Sequence, residues 1–580
     1  MISYKNFDFS GGLNIEEKNA QIAQNENVLS QNFISNGKAI EVLSGYVKFN
    51  KTPISNNLTN KIKSIFRFVK PSSPNIKRFI ADCGDGLWVA NETTAEWDPI
   101  ETGLDPQGIF EYTVLGDNYC FMVNGYDGLK KYNGTSIYNV NGAPNGTTVS
   151  NHFNRLLIGG NLSYPNRVYW SEPAQPDEWD SLNNYQELPS INGDGIVKII
   201  PFMDGSILFK THSIWLMYGN MEPFPINKIS DNIGCASKQS VTVYGDKVFW
   251  FSDTKHIYCY DRTNLMNITE FNVGALPVPA SKIEDVCCEV IDGDLWVSYC
   301  DESSNESFNN RVLICDIRNI NHPKWFGPHK GFQIQSFCNF KAKNDTGKTY
   351  FGDSNTSTVW QKSTNYYMGA NLQGTIVSSS TTTTDVKLEK NGNIGTNTLT
   401  GCRISIVDGK GQGQQRIIIE NTQFNETGAV WSGSITVNND WNDIPDSTSR
   451  WEIGTIDAKY RTGILSFESP EKQKLFDKVF IHTESKGDYL LKIGVIKNHL
   501  DSGNEYNYSL LGSSTIWDSS VWDQSEFSSP DMLDDYIDLD FENAKYLNLE
   551  FSVKGRNRSC LIYGFVILFR YGDTLDFDGS

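Results

Sequence analysis

The sequence predicts an all-β protein, a β-propeller of six to eight blades with an N-terminal strap and a small inserted β domain. Three observations lead there. The 580 residues include 32 Phe, 26 Tyr, 14 Trp and 48 Gly. Aromatic and β-branched side chains fit pleated, half-buried surfaces, while Gly and Asn supply turns with positive φ. No long apolar stripe repeats at the helical period. Finally, short strand–turn–strand units recur between about residues 62 and 361, in blocks of blade size.

Residues 1–45 form the predicted strap, opening on the turn-like Phe9-Ser10-Gly11-Gly12-Leu13-Asn14. The main propeller is assigned to 46–365. Its repeat reads Gly84-Asp85-Gly86-Leu87-Trp88-Val89, then Gly125-Tyr126-Asp127-Gly128-Leu129-Lys130, then Asp292-Gly293-Asp294-Leu295-Trp296-Val297, then Gly352-Asp353 with Val359-Trp360. Between these lie Ser206-Ile207-Leu208-Phe209 with Ser213-Ile214-Trp215-Leu216, and Lys247-Val248-Phe249-Trp250 with His256-Ile257-Tyr258-Cys259. A lone hairpin cannot bury both faces, so such units must stack on neighbours.

The run of Ser and Thr at 378–384 marks a shift in composition, and 366–455 is assigned to the inserted domain. Residues 456–580 are expected to complete the propeller or its platform. There Leu547, Leu549, Phe551 and Val553 alternate with polar residues, as a strand with one wet face does. The nearly unbroken apolar run Ile562 to Arg570 predicts a strand covered on both faces.

The net charge of -19, from 69 acidic and 50 basic residues, argues against a protein that grips nucleic acid by its phosphates. The 11 cysteines lack any C-x-x-C pair, which predicts free thiols and no structural zinc. Met1 to Phe7 holds no apolar signal core, and the longest greasy run is too short to span a bilayer as a helix. Neither secretion by a standard signal nor membrane insertion is expected.

Candidate chemistry is sparse. Gly409-Lys410-Gly411-Gln412-Gly413 is followed by the strand-like Arg416-Ile417-Ile418-Ile419, so no helix N-terminus is available for a phosphate. At Gly347-Lys348-Thr349, Ala342 occupies the first glycine position of a Walker loop. Both read as turns. The histidines, at 152, 212, 256, 322, 329, 482 and 499, are never three or four residues apart. Neither a Gly-x-Ser-x-Gly elbow nor a sialidase Ser-x-Asp-x-Gly-x-x-Trp turn occurs. Asn192-Gly193-Asp194-Gly195 and Asp292-Gly293-Asp294 look like short calcium loops but lack the full EF-hand pattern. No catalytic, cofactor-binding or metal residue is therefore assigned, and the expectation is a protein that is not an enzyme.

One stretch is more specific. Val168-Tyr169-Trp170-Ser171-Glu172-Pro173, Glu178-Trp179, Gly193-Asp194-Gly195-Ile196-Val197, Ile233-Gly234-Cys235-Ala236-Ser237 and Val248-Phe249-Trp250-Phe251-Ser252 follow in order. Together with Gly11 to Asn14 and the pair Thr515-Ile516-Trp517-Asp518 and Val521-Trp522-Asp523, this resembles the tail nozzle, or packaged-DNA stabilisation, proteins of short-tailed bacteriophages. The resemblance covers most of the chain at the level of pattern, and the 409–445 segment is similar to a β module recurrent in phage structural proteins.

The resemblance implies a structural virion protein of the tail, assembled in the host cytoplasm. It implies a homo-oligomeric, hexameric ring below the portal and adaptor, bearing tail fibres or a tail tip. Packaged DNA would pass through the lumen without specific binding, and no cofactor is implied. Two rival readings are a glycan-binding propeller that recognises a receptor and a capsule-degrading glycosidase.

Overall fold

Alternating apolar and polar residues between Gly and Asn turns fold the chain from Ile62 onward into antiparallel meanders. The structure is a computed structural model. It describes all residues except 18–20, 38, 56, 71, 74–75, 117, 191–192, 341–347, 391, 428–429, 468, 485–486, 488, 499–501, 511–531 and 573–580. The all-β class is as the sequence predicts: among the described residues the only helical elements are two short 3-10 turns, Lys238–Ser240 and Ala280–Asp285.

Seven consecutive sheets, I to VII, follow one another. Sheets I to VI each hold four successive strands, spanning 62–102, 111–139, 148–187, 196–230, 242–267 and 287–330. Sheet VII contributes Ile334–Phe340, Lys348–Asp353 and Val359–Lys362, and takes its next strand, Tyr46–Lys48, from the other end of the chain. Most first strands pack beside the first strand of the next sheet, and sheet VII returns against sheet I, so the sheets form a closed ring. Sheets IV and V meet through Phe209 and Trp250, whose rings lie 5.3 Å apart.

Neighbouring sheets bury shared apolar clusters, such as Phe68, Ile80, Phe110 and Met122 between I and II. Phe79, Tyr350 and Val359 do the same between VII and I. This stacking is what a four-stranded sheet needs to cover both of its faces.

Two further units sit beside the ring. In the first, the strands Thr383–Leu388, Leu372–Ser379, Arg450–Ile453, Arg403–Asp408, Gln415–Asn421 and Val430–Val437 pair in that order, and the last pairs with the first. The result is a small closed barrel around Val386, Ile404, Ile418, Ile435 and Trp451. The second unit is a sandwich of two six-stranded sheets. Phe476, Val479 and Ile481 of one face Ile493, Val495 and Phe551 of the other.

The strap belongs to this sandwich. Ile2–Asn6 and Ile40–Val42 pair with Leu561–Tyr571, while Glu26–Gln31 pairs with Ile456–Thr462. Of the expectation that 456–580 completes the propeller or its platform, the part that concerns the ring is thereby corrected. Those strands pair with the strap, and Tyr46–Lys48 supplies the ring's missing strand. Leu561–Tyr571 is also not covered on both faces: Phe565, Ile567 and Phe569 enter the core, whereas Val566 and Leu568 are only half-buried on the outer face. The strand Leu547–Gly555 alternates as expected from Leu549 onward, whereas Asn548 is buried and donates to the Thr462 carbonyl at 3.0 Å.

A polar cavity on the ring axis as candidate functional site

The first strands of the sheets converge on a cavity of about 180 Å³, lined by segments from sheets I, II, IV, VI and VII and by the 3-10 turn Lys238–Ser240. Its position on the ring axis follows from this lining. Inward-facing positions of first strands would ordinarily carry apolar residues; here several are charged.

The short turn acts as a plug. Lys238 Nζ donates to the carbonyls of Ile109 (2.8 Å) and Thr147 (3.1 Å), which lead into sheets II and III. Gln239 reaches the other way, donating to the Lys63 carbonyl at 2.6 Å and accepting from Gln335 at 3.3 Å. Burial lowers the Lys238 ammonium to about 8.

Sheet I adds Lys63, paired with Asp82 at 2.9 Å and donating to Gly108 O at 2.6 Å. Burial raises the Asp82 carboxyl to about 6 against the pull of Lys63, and Asp82 also accepts from Phe110 N–H at 3.0 Å. Glu111 of sheet II is ion-paired with Lys198 of sheet IV. Its Oε2, though buried, has no hydrogen-bond partner among the described residues. Glu289 of sheet VI is pushed up to about 7 by burial. Tyr112 stacks on Phe66, with ring centres 4.9 Å apart, and shares a 3.2 Å hydrogen bond with Ser64.

Chemically, this is a cavity whose ions largely neutralise one another. Its hydroxyls, Ser64, Tyr112 and Ser336, have no histidine beside them in the lining. Cys288 is held well above the usual thiol range by burial, which suppresses the thiolate that nucleophilic chemistry requires.

No family model matches this chain. No curated protein matches it either. Among solved structures, the extracellular domain of BT4673 from B. thetaiotaomicron is similar in two determinations, one titled a one-component and the other a hybrid two-component system. Each match has 10% identity and covers 60% of this chain and 45% of that one, with TM-scores of 0.35 and 0.37. The chain thus spans less than half of that domain, and so distant a likeness carries no argument about the cavity.

The motifs considered in the sequence lie elsewhere. The Gly409–Gly413 loop joins the antiparallel strands Arg403–Asp408 and Gln415–Asn421. Asp292 (φ 54°) and Gly293 (φ 93°) form the two-residue turn between the first strands of sheet VI. Gly84-Asp85, by contrast, turns between the second and third strands of sheet I, so the Gly-Asp repeats are not in phase round the ring. Asp194 serves the hairpin of sheet IV, accepting from Ser213 at 2.5 Å and pairing with Lys210 at 3.3 Å.

The histidines are dispersed as well. His152 bonds Ser206, His212 bonds Asp253 and His256 bonds Thr269. His499, Asn192, Ala342, Gly347 and the paired Trp-Asp segment lie outside the described residues. All eleven cysteines are buried, and none is joined in a disulfide.

Sequence reasoning missed Lys238, Gln239 and Glu111. The one local signal for them was charged or amide side chains in otherwise apolar first strands and in the linker ahead of sheet V.

Proposed function

We propose that the seven-sheet ring is a β-propeller and that the chain is a non-enzymatic structural subunit of a short-tailed phage tail. In this reading copies form a nozzle ring below the portal and adaptor. The ring continues the DNA conduit, retains the packaged genome and anchors fibres or the tail tip.

The observation that carries it is the course of the strap. One continuous N-terminal segment supplies strands to both sandwich sheets and then the strand Tyr46–Lys48 of the ring, so the units are sewn together by backbone pairing. Buried polar contacts reinforce the seam. Ser30 Oγ accepts from Gly327 N–H at 2.7 Å, and Asn32 N–H donates to His329 Nδ1 at 2.9 Å. Such stitching suits a part that bears pressure without deforming. The axis of a single ring is plugged by Lys238 and Gln239, so DNA would run between copies and not through one.

Particles assembled without this chain test the proposal. They are expected to package DNA, leak it and regain retention when purified chain is added. Particles that keep their genome and infect normally would contradict it.

The glycan-binding reading draws on the cavity itself, where the Phe66–Tyr112 stack and the unpartnered oxygen of Glu111 could meet a sugar's faces and hydroxyls. A glycan array separates the two readings, since the scaffold reading expects no retained sugar.

A further inference from the structure

Two surface features of the sandwich carry complementary charge. The first is a basic groove. Two adjoining hollows of about 430 and 380 Å³ share Asp457 and Lys459 and run along the outer face of the sheet containing Ile456–Thr462 and Leu547–Gly555, up to the outer edge of sheet VI. Three cations in it are matched, Arg311 with Asp301, Arg461 with Glu550 and Lys492 with Glu505. Lys330, Lys459, Lys554 and Arg558 remain without a carboxylate in salt-bridge range among the described residues. The floor is apolar at Leu490, which is 49% exposed, beside Tyr489. A concentration of unmatched cations is conspicuous on a chain of net charge -19.

The second feature is an acidic knob. Met532–Ala544 is the edge strand of the other sandwich sheet. Its ladder with Lys474–Glu484 breaks between Phe476 and Lys478, where Leu539 turns into the core while Asp540 and Phe541 are exposed. Asp540 and Phe541 both take positive φ there, 50° and 60°, a conformation costly for bulky side chains and usually kept where it serves a contact. Phe541 and Tyr536 are exposed, with the Arg570 guanidinium 4.9 Å over the first ring and the Lys478 ammonium 4.0 Å over the second, and the exposed Asp538 and Asp540 beside them have no cation in salt-bridge range among the described residues.

We infer that the Asp538–Asp540–Phe541 knob of one copy docks into the Lys459–Lys554 groove of a second copy. The inference rests on the reading of this chain as a repeated subunit and names the surfaces that join the copies. Acid meets base, and the exposed aromatic meets the Leu490 floor. Because the two patches differ, the contact is head-to-tail, the kind that closes rings when the rotation allows.

Self-association of the full chain, followed by analytical ultracentrifugation, tests it. K459E/K554E and D538K/D540K are each expected to weaken association about tenfold or more, since like charges then face each other. An equimolar mixture of the two variants should restore assembly, because both reversed and unreversed patches then find complements. That restoration also shows that neither variant has failed to fold. Assembly indifferent to both reversals would overturn the pairing and leave the scaffold reading standing. A wild-type chain that stays monomeric at every concentration would overturn both. Duplex DNA captured by the groove, with assembly unchanged by K459E/K554E, would also overturn it.

Discussion

His329 shows how much one side chain can decide. It is fully buried where the sandwich meets sheet VI, and its Nδ1 accepts the Asn32 N–H. Burial holds the imidazole down to about 3, so folding keeps it neutral. The unfolded chain protonates it near the ordinary value of about 6.5. A depressed histidine therefore costs stability as pH falls, by about 1.4 kcal/mol for each unit below that value until the folded value is reached. Thermal unfolding followed from neutral pH to about pH 5 should show the melting temperature falling. His329→Gln should be less stable at neutral pH but decline less steeply; an equal slope in both would remove His329 as the cause. Gly12 is a second decisive residue. Its φ of +83° and a virtual Cβ only 3.0 Å from Trp325 O explain why the strap opens on a glycine pair. The sequence displayed that pair, but what it packs against lies some three hundred residues away.

At the scale of elements, the 3-10 turn Lys238–Ser240 ties together sheets that do not adjoin it in sequence. Lys238→Met would strand the Ile109 and Thr147 carbonyls in the cavity wall. Each buried unpaired group costs about 1–3 kcal/mol, so for the two carbonyls a loss of about 2–6 kcal/mol in unfolding free energy is expected. Amide exchange should speed up in the first strands of sheets II and III before it does elsewhere, whereas uniform acceleration would mean that the plug is not local. The hairpins of sheets IV and V were legible because their strands are neighbours in sequence and alternate cleanly. The cavity was not legible, since it gathers single residues from five sheets and no window of sequence contains two of its charged pairs. The final strand misled for a related reason: its outward Val566 and Leu568 read as core, yet apolar side chains on an outer face are common.

For the whole molecule, the closure of the ring and the sandwich depends on pairings between the N-terminal segment and strands far along the chain, such as Tyr4 opposite Ile567 and Tyr46 opposite Lys362. Local periodicity announces the strands but not such partners, so the sequence assigns 456–580 to the propeller or its platform and gives the strap no pairing partner. What the pairings build is one stitched body with a plugged axis, a shape suited to standing beside copies of itself. If the chain is the phage-tail subunit proposed above, electron cryomicroscopy of the particle it would belong to is the most direct test. The account predicts a closed ring of copies below the portal and adaptor, with DNA on the axis between the copies. A particle in which the chain is absent from that ring, or is found only as a peripheral spike holding or cleaving host glycan, would contradict it.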